Sequence, residues 1–326
     1  MTDRRVAVFR GGPSAEHDVS LESGRQVLQA LDGQGLDVVI RPDGAWVIGG
    51  DEQPSIGAAI DRVRAETEVA FIALHGPFGE DGTIQGLLEV IGVPYTGSGV
   101  AASGLAMDKV RTKAIYRDAG LPTAPAVAIE PTSFEENKKT LLDDIESKVG
   151  LPCVVKPACD GSSFGVSLPA HRVGLEAAIE TMTRAGRVVL AEKRISGTEL
   201  TCAVLEYDDG PRPMPVTEIA PADKYAFFDY EAKYTPGASQ EITPARIPDA
   251  LRDELQRLAV AAHKALGCRD MSRTDFIADD ERPWLLETNT IPGLTGNSLL
   301  PQAAAAAGLS FPRLIQHLVA CARRRA

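Results

Sequence analysis

Asp275 and Glu287 have the residue type and the spacing to hold a cation. They lie in the stretch M-S-R-T-D-F-I-A-D-D-E-R-P-W-L-L-E-T-N-T-I-P-G-L-T-G-N, from Met271 to Asn297. Arg273 to Ile277 and Trp284 to Thr290 alternate polar and apolar residues, as half-buried strands do. Asp279-Asp280-Glu281-Arg282-Pro283 is turn chemistry between them. A hairpin centred on Glu281 sets Asp275 opposite Glu287 and Arg273 opposite Asn289. The period of two then turns all four side chains to one face. Carboxylates directly across a strand pair repel, and a cation between them converts that cost into a site. The ligands are hard oxygens with no His or Cys close by, which points to Mg2+, whose shell substrate phosphates usually complete. The same alternation also describes an ordinary exposed hairpin with a wet polar face. The P-G-L-T-G-N-S tail adds a loop of the kind that carries function.

A second constellation surrounds Lys156. L-P-C-V-V-K-P reads as a strand, A-C-D-G-S-S-F-G-V as a loop containing Ser162 and Ser163, and V-S-L as the strand resumed. A Walker A motif needs strand, loop and helix with G-K-[ST], so this is a different device built on the same physics. Small residues let backbone N–H groups and hydroxyls close over phosphate oxygens. A lysine on a buried strand calls for an anionic partner. Further on, Glu192 and Lys193 end the strand that starts at Val188, and Glu199 begins the next. Such a crossover can line an adenine slot and offer Glu199 to ribose hydroxyls. Lys109 and Lys113 share a helix face at i, i+4, either as a solvated basic face or with one lysine turned inward to a phosphate.

Other candidates lie in loops. Glu16 and His17 sit in R-G-G-P-S-A-E-H-D after the first strand, where a solvated loop is the plainer reading of each. His75 follows the buried strand Val69 to Leu74 and opens H-G-P-F-G-E-D-G-T, where it either touches an anion or caps the turn. Ile219 to Gly237, dense in aromatics and charge and bounded by prolines, reads as a long loop of lid type. Lys233 and Tyr234 are its functional candidates, with Phe227 and Phe228 packing the loop to the body.

The elements that position these residues follow from pattern. Arg5 to Phe9 is a short apolar strand, followed by a glycine loop and a helix from Val19 to Leu31, the opening of an α/β unit. The glycines do not spell G-x-G-x-x-G, so a dinucleotide fingerprint is unsupported. Helices are expected from Ile84 to Ile91, Ala101 to Ala119, and Phe134 to Val149. Asp249 to Leu266 is amphipathic, with Leu251, Leu255, Leu258, Ala262 and Leu266 on one stripe and a structural His263 beside it. At 326 residues the chain has room for two or three domains. A net charge of −11, from 34 basic and 45 acidic residues, argues against non-specific nucleic-acid binding and anionic membranes. The five scattered cysteines with no C-x-x-C suit free thiols in a reducing cytosol. No secretory h-region opens the sequence and no apolar run is long enough to span a bilayer, so a cytoplasmic protein is expected.

Taken together, G-G-P-S-A-E-H-D-V-S-L-E-S-G, A-L-H-G-P-F-G-E-D-G-T-I-Q-G, P-Y-T-G-S-G, M-D-K, V-V-K-P…G-S-S-F-G-V, D-Y-E-A-K-Y and L-L-E-T-N-T-I-P-G-L-T closely resemble the D-alanine–D-alanine ligases of the ATP-grasp superfamily. The matches run from about residue 5 to 301, in that family's order and spacing. The resemblance implies an α/β and α+β chain: an ATP-grasp fold with a Rossmann-like N-terminal domain. It implies domains at 1–105, 106–200 and 201–326, with ATP between the second and third. It implies two Mg2+ ions, replaceable by Mn2+, on Asp275, Glu287 and Asn289. By the same resemblance, Glu16 holds the first D-alanine's ammonium and is linked to the hydroxyls of Ser162 and Tyr234. His75 lies near that substrate. Lys109, Lys156 and Lys233 meet phosphates, with Ser162 and Ser163 in the phosphate loop. Glu192, Lys193, Ile195 and Glu199 form the adenosine pocket. Arg273 and the backbone N–H of Gly293 stabilise the intermediate, and Ser298 and Leu299 receive the second substrate's carboxylate.

The implied chemistry is phosphorylation of one D-alanine by ATP, followed by attack of a second D-alanine's amine on the acyl phosphate, for peptidoglycan precursors. A homodimer is also implied. A related ligase using D-lactate or D-serine is the alternative acceptor reading, and a silent ATP-binding module is the non-enzymatic one. The intact set of Glu16, Arg273, Asp275, Glu287 and Asn289 speaks against the module. Arg10, Cys159, Phe164 and Asn297 depart from the common pattern without removing a mechanistic group.

Overall fold

The computed structural model describes residues 5–159, 165–221 and 239–325. Its N-terminal sheet begins with β1 (Arg5–Gly11), which pairs in parallel with β2 (Gly35–Ile40) and with β5 (Thr67–Ile72). Short antiparallel strands β3 (Trp46–Ile48) and β4 (Asp51–Glu52) extend one edge, giving the order β4-β3-β2-β1-β5. The central strands are apolar on both faces because helices cover both. These include α1 (His17–Ala30), α2 (Ile56–Glu66) and α3 (Thr83–Ile91). Both candidate loops, one before α1 and one before α3, leave the carboxyl ends of parallel strands, where open α/β sheets place ligands.

The stretch from 101 to 119 was expected as one helix. It is two, α4 (Val100–Met107) and α5 (Lys109–Asp118). Asp108 has extended φ/ψ between them and accepts hydrogen bonds from Val110 N and Arg111 N, so it caps α5. The break gives Lys109 the first helical position, and its N–H donates to Ala158 O at 2.9 Å.

A small antiparallel sheet follows, in the order β6 (Ala126–Ile129), β8 (Val189–Lys193), β7 (Cys153–Pro157). α6 (Pro131–Lys148) and α7 (Arg172–Arg184) pack on it around Ile145, Leu175 and Ile179. Ser167 exchanges backbone hydrogen bonds with Val155 in an isolated antiparallel bridge, so V-S-L, expected to resume a strand, pairs with β7 at that one residue only.

The third sheet is antiparallel. Its path is β12 (Ser239–Ile242), β11 (Thr217–Pro221), β9 (Thr198–Tyr207), β13 (Met271–Ala278), β14 (Pro283–Asn289), with β10 (Gly210–Pro213) also pairing β9. Thr217–Pro221 corrects the expected loop from Ile219. Ile219 is buried and pairs with Glu199 and Glu241, because its apolar side chain is worth more in the sheet. The remainder of that expected loop, with Lys233, Tyr234, Phe227 and Phe228, lies outside the described residues, as do Ser162, Ser163 and Phe164. α8 (Asp249–Leu266) buries the predicted stripe from Leu255 to Leu266 against this sheet. Two last helices, α9 (Leu299–Ala306) and α10 (Phe311–Arg323), carry Leu300, Leu314 and Leu318 back into the N-terminal core. Among the described residues, no helix is long and apolar enough to cross a membrane.

Candidate active site

The hairpin of β13 and β14 puts Asp275 opposite Glu287 and Arg273 opposite Asn289, the expected register. Nearer the turn that register slips: Phe276 pairs with Leu285, and Ile277 with Trp284. The centre on Glu281 therefore holds only for the open end. The extra residue, Leu286, lets Leu285 turn inward beside Phe276, both fully buried. On the inner face, Thr274 lies opposite Thr288. Their hydroxyls are 2.8 Å apart, and Tyr116 Oη lies 2.6 Å from Thr288 Oγ1. This buried hydroxyl chain fixes the hairpin from behind.

On the outer face the charges interlock. Arg273 donates through Nε and Nη2 to the two oxygens of Asp275, each at 2.8 Å. Thr201 Oγ1 donates to Asp275 Oδ1 at 2.6 Å, and Asn289 Nδ2 to Asp275 Oδ2 at 3.1 Å. Lys109 Nζ lies 3.2 Å from Glu287 Oε2. Burial works against the charge on Arg273, but Asp275 outweighs it and holds the guanidinium above its ordinary pKa. A guanidinium has five N–H donors, so a fork on Asp275 still leaves donors for an oxyanion. Among the described residues, no three His, Cys, Asp or Glu side chains cluster as a complete metal cage. Two carboxylates and an amide oxygen on one face form a partial hard-oxygen set, which suits Mg2+ shared with phosphates.

This face walls a cavity of about 590 Å³, which Glu16, His75 and Glu80 close from the N-terminal side. Lys109, Arg273, Glu287 and Asn289 line it, as do Gly293, Ser298 and Leu299. The structure thus gathers ten of these predicted and newly found positions from five separate stretches. Gly76 makes the N-terminal wall possible. Its φ is +70°, and a Cβ there would lie 2.6 Å from Glu16 Oε2. His75 is buried, with Nε2 2.9 Å from Ser23 Oγ, and burial pushes its pKa down towards the neutral imidazole. At the other end, a Cβ on Gly293 would meet Ser298 Oγ at 2.8 Å, so glycine here lets the loop fold back closely on α9 without moving Ser298. Ser298 Oγ lies 2.8 Å from Thr295 Oγ1 and makes no cap hydrogen bond at the start of α9. The first N–H groups of that helix are therefore placed beside the cavity, where a carboxylate can use them.

Of the described nucleotide-side candidates, Lys109 lines this cavity, whereas Lys156, Glu192, Lys193, Ile195 and Glu199 do not. Lys156 on β7 lies 2.5 Å from Glu192 Oε1, and Glu192 is buried at the end of β8. Lys193 is exposed, while Ile195 and Glu199 are half-buried along the β8–β9 crossover. The adenosine candidates are thus neighbours in the fold, but the Glu192 carboxylate points at lysines. Of the two lysines read on one face, Lys109 meets Glu287 and Lys113 is buried against Glu192 at 2.9 Å. Neither forms a solvated basic face.

Three participants escaped the sequence reading. Thr201 holds Asp275 from the neighbouring strand, which no local pattern reveals. Glu241 on β12 lines the cavity and accepts from Gln302 Nε2 at 2.5 Å. Glu80 accepts from Gly76 N at 2.9 Å and Ile291 N at 3.4 Å, tying the N-terminal loop to the segment after β14. Burial and then the Glu16 charge push its pKa up to about 8. An acid between glycines after a buried strand, as in G-E-D-G, was the signal available for it.

Comparison with known proteins bears on this arrangement. Residues 115–320 match the model of the D-ala D-ala ligase C-terminus, and residues 51–98 that of the D-ala D-ala ligase N-terminus. The chain is 46% identical to the D-alanine–D-alanine ligase of Syntrophobacter fumaroxidans over 96% of each chain. It is 48% identical to that of Desulfotalea psychrophila, over 97% of this chain and 94% of the relative. Among solved structures, the VanG D-Ala:D-Ser ligase of Enterococcus faecalis is 30% identical with a TM-score of 0.83, covering 98% of this chain and 99% of that one. The D-alanine–D-alanine ligase of Bacillus anthracis complexed with ATP is 31% identical with a TM-score of 0.80, covering 99% and 98%.

Proposed function

The chain belongs to the D-alanine–D-alanine ligase family, and on that footing we propose which of its side chains carry the reaction. It has the ATP-grasp fold and is an ATP-dependent ligase that joins two D-alanines through an acyl phosphate. The observation that carries the assignment of residues is the shared outer face of Arg273, Asp275, Glu287 and Asn289, set across one cavity from Glu16 and His75.

In this reading Glu16 holds the ammonium of the first D-alanine, with neutral His75 beside it. The carboxylate of that D-alanine attacks the γ-phosphorus of ATP and ADP leaves. Lys109, Lys156 and Lys233 meet the phosphates, with Ser162 and Ser163 in the phosphate loop. Glu192, Lys193, Ile195 and Glu199 frame the adenosine. Asp275, Glu287 and Asn289 fit Mg2+ by their hard oxygens. Bound there with the nucleotide, Mg2+ would offset phosphate charge and align the γ-phosphoryl group. Ser298 and Leu299 receive the carboxylate of the second D-alanine at the start of α9. Its neutral amine attacks the acyl carbon, Arg273 with the N–H of Gly293 stabilises the oxyanion, and the C–O bond to phosphate breaks as the amine's surplus proton passes to the departing phosphate. Tyr234 and Ser162 complete a hydroxyl link to Glu16. Domains at 1–105, 106–200 and 201–326 each centre on one of the three sheets, although β9 (Thr198–Tyr207) begins just before the third and α4 (Val100–Met107) spans the first boundary. Family membership supports a cytoplasmic homodimer feeding peptidoglycan synthesis.

The test is phosphate release from ATP with and without D-alanine, paired with product analysis. Phosphate and D-alanyl-D-alanine should appear in equal amounts, and only with D-alanine present. ATP hydrolysis indifferent to D-alanine would overturn the reading.

A further inference from the structure

Three charged side chains meet behind the nucleotide-side wall, and the reaction as described uses only two of them. Glu192 is buried, with Oε1 2.5 Å from Lys156 Nζ and Oε2 2.9 Å from Lys113 Nζ. Lys113 is 1% exposed. Its Nζ also donates to Thr123 Oγ1 at 2.7 Å and Ala124 O at 3.2 Å. Thr123 Oγ1 in turn donates to Leu285 O at 3.0 Å, so Lys113 is anchored to the base of the β13–β14 hairpin. It does not line the cavity.

An ammonium is not buried this deeply without a purpose that repays its desolvation. Glu192 and Lys156 alone would form a neutral pair. With Lys113 added, two ammonium groups share one carboxylate and the cluster keeps one positive charge. Lys113 is locked away from the cavity by its other partners. Lys156 also feels the charge of Glu287, which lines the cavity. The unneutralised charge is therefore presented where phosphates would arrive.

We infer that Lys113 is a positioning residue, occupying one oxygen of Glu192 so that Lys156 keeps a usable positive charge for the phosphates of the nucleotide. This rests on the reading of Lys156 as a phosphate contact. Lys113 itself touches neither substrate. Its effect falls chiefly on the phosphate part of nucleotide binding, and adenosine, which lacks phosphates, feels it only weakly, through Glu192.

Calorimetric titration of ADP and of adenosine tests this on the full chain, with circular dichroism to check each variant's fold. Lys113→Met keeps the apolar stem and should weaken ADP about tenfold while moving adenosine by less than about twofold. Lys113→Arg should recover most of the loss. Lys113→Met with Glu192→Gln removes one charge of each sign, restores the single positive charge, and should bring the ratio of ADP to adenosine affinity back towards the parent value. Equal losses for ADP and adenosine, or a double variant no better than the single one, would mean a merely structural lysine. Unchanged ADP binding in Lys113→Met would also overturn the inference. Lys156→Met is the control. If it too leaves ADP affinity unchanged, the phosphate reading of Lys156 fails; if it alone weakens ADP, only the role of Lys113 fails.

Discussion

Asp275 and Glu287 face each other on neighbouring strands, yet each carboxylate is met by a different cation, Arg273 at 2.8 Å and Lys109 at 3.2 Å. The two cations come from different elements, a strand of the hairpin and the first position of α5. This offsets the repulsion of the facing carboxylates.

Glu287→Gln keeps the shape and removes one of those charges. Turnover should fall by at least about a hundredfold, the scale expected when a transition-state charge clamp is lost. The thermal midpoint should move little, since the side chain is half-buried and its neighbour Lys109 can find solvent. Rates measured over a Mg2+ series check this. Near-parental activity at every Mg2+ concentration would remove Glu287 from the proposed metal ligands.

Glu80 carries a pH signature. Its pKa is about 8 in the folded chain against an ordinary 4.5, raised by burial and then by Glu16. Between those values the unfolded chain has released this proton and the folded chain still holds it. Stability should therefore fall as pH rises through that window, by up to about 1.4 kcal/mol per pH unit from this group. Glu80→Gln lacks the slope. In denaturant titrations from pH 5 to 8, its stability relative to the parent should climb with pH. Parallel curves would show that Glu80 ionises normally.

Gly76→Ala combines two strains at one atom. The residue's φ is +70°, and the new methyl would press on Glu16 Oε2 at 2.6 Å. The left-handed backbone alone should cost about 1–2 kcal/mol. Displacement of Glu16 should raise KM for the first D-alanine several-fold, more than it lowers kcat. A stability loss with unchanged KM would separate the glycine's backbone role from Glu16.

Acceptor choice is open to a direct measurement. With D-alanine, D-serine and D-lactate supplied together from pH 6 to 9, D-alanyl-D-alanine should dominate. Tyr234→Phe removes one hydroxyl and should weaken the peptide product and admit some ester, most visibly at low pH where the amine is protonated. Dominant depsipeptide from the unaltered chain across that range would defeat the D-alanine acceptor assignment.

Much of this protein was legible in its residues. The alternation around Asp275 and Glu287 determined their register, because a period of two leaves few other pairings that keep Phe276 inside. The apolar stripe of α8 was likewise readable, since a 3.6-residue repeat is a local property. A lysine on a strand, Lys156, announced an anionic partner. Tertiary structure alone decided which partner each charge would take. Lys109 and Lys113 look alike in sequence, one helical turn apart. The break at Asp108 and the packing of α5 against two different sheets send one to Glu287 and the other to Glu192. Thr201 reached Asp275 only through the pairing of β9 with β13, 74 residues apart in the chain. Glu80 gained its raised pKa only when loops from opposite ends of the molecule closed over it. Local patterns record the side-chain period of an element; burial and long-range charge arise only when elements meet, because desolvation and Coulomb energy depend on distance in space.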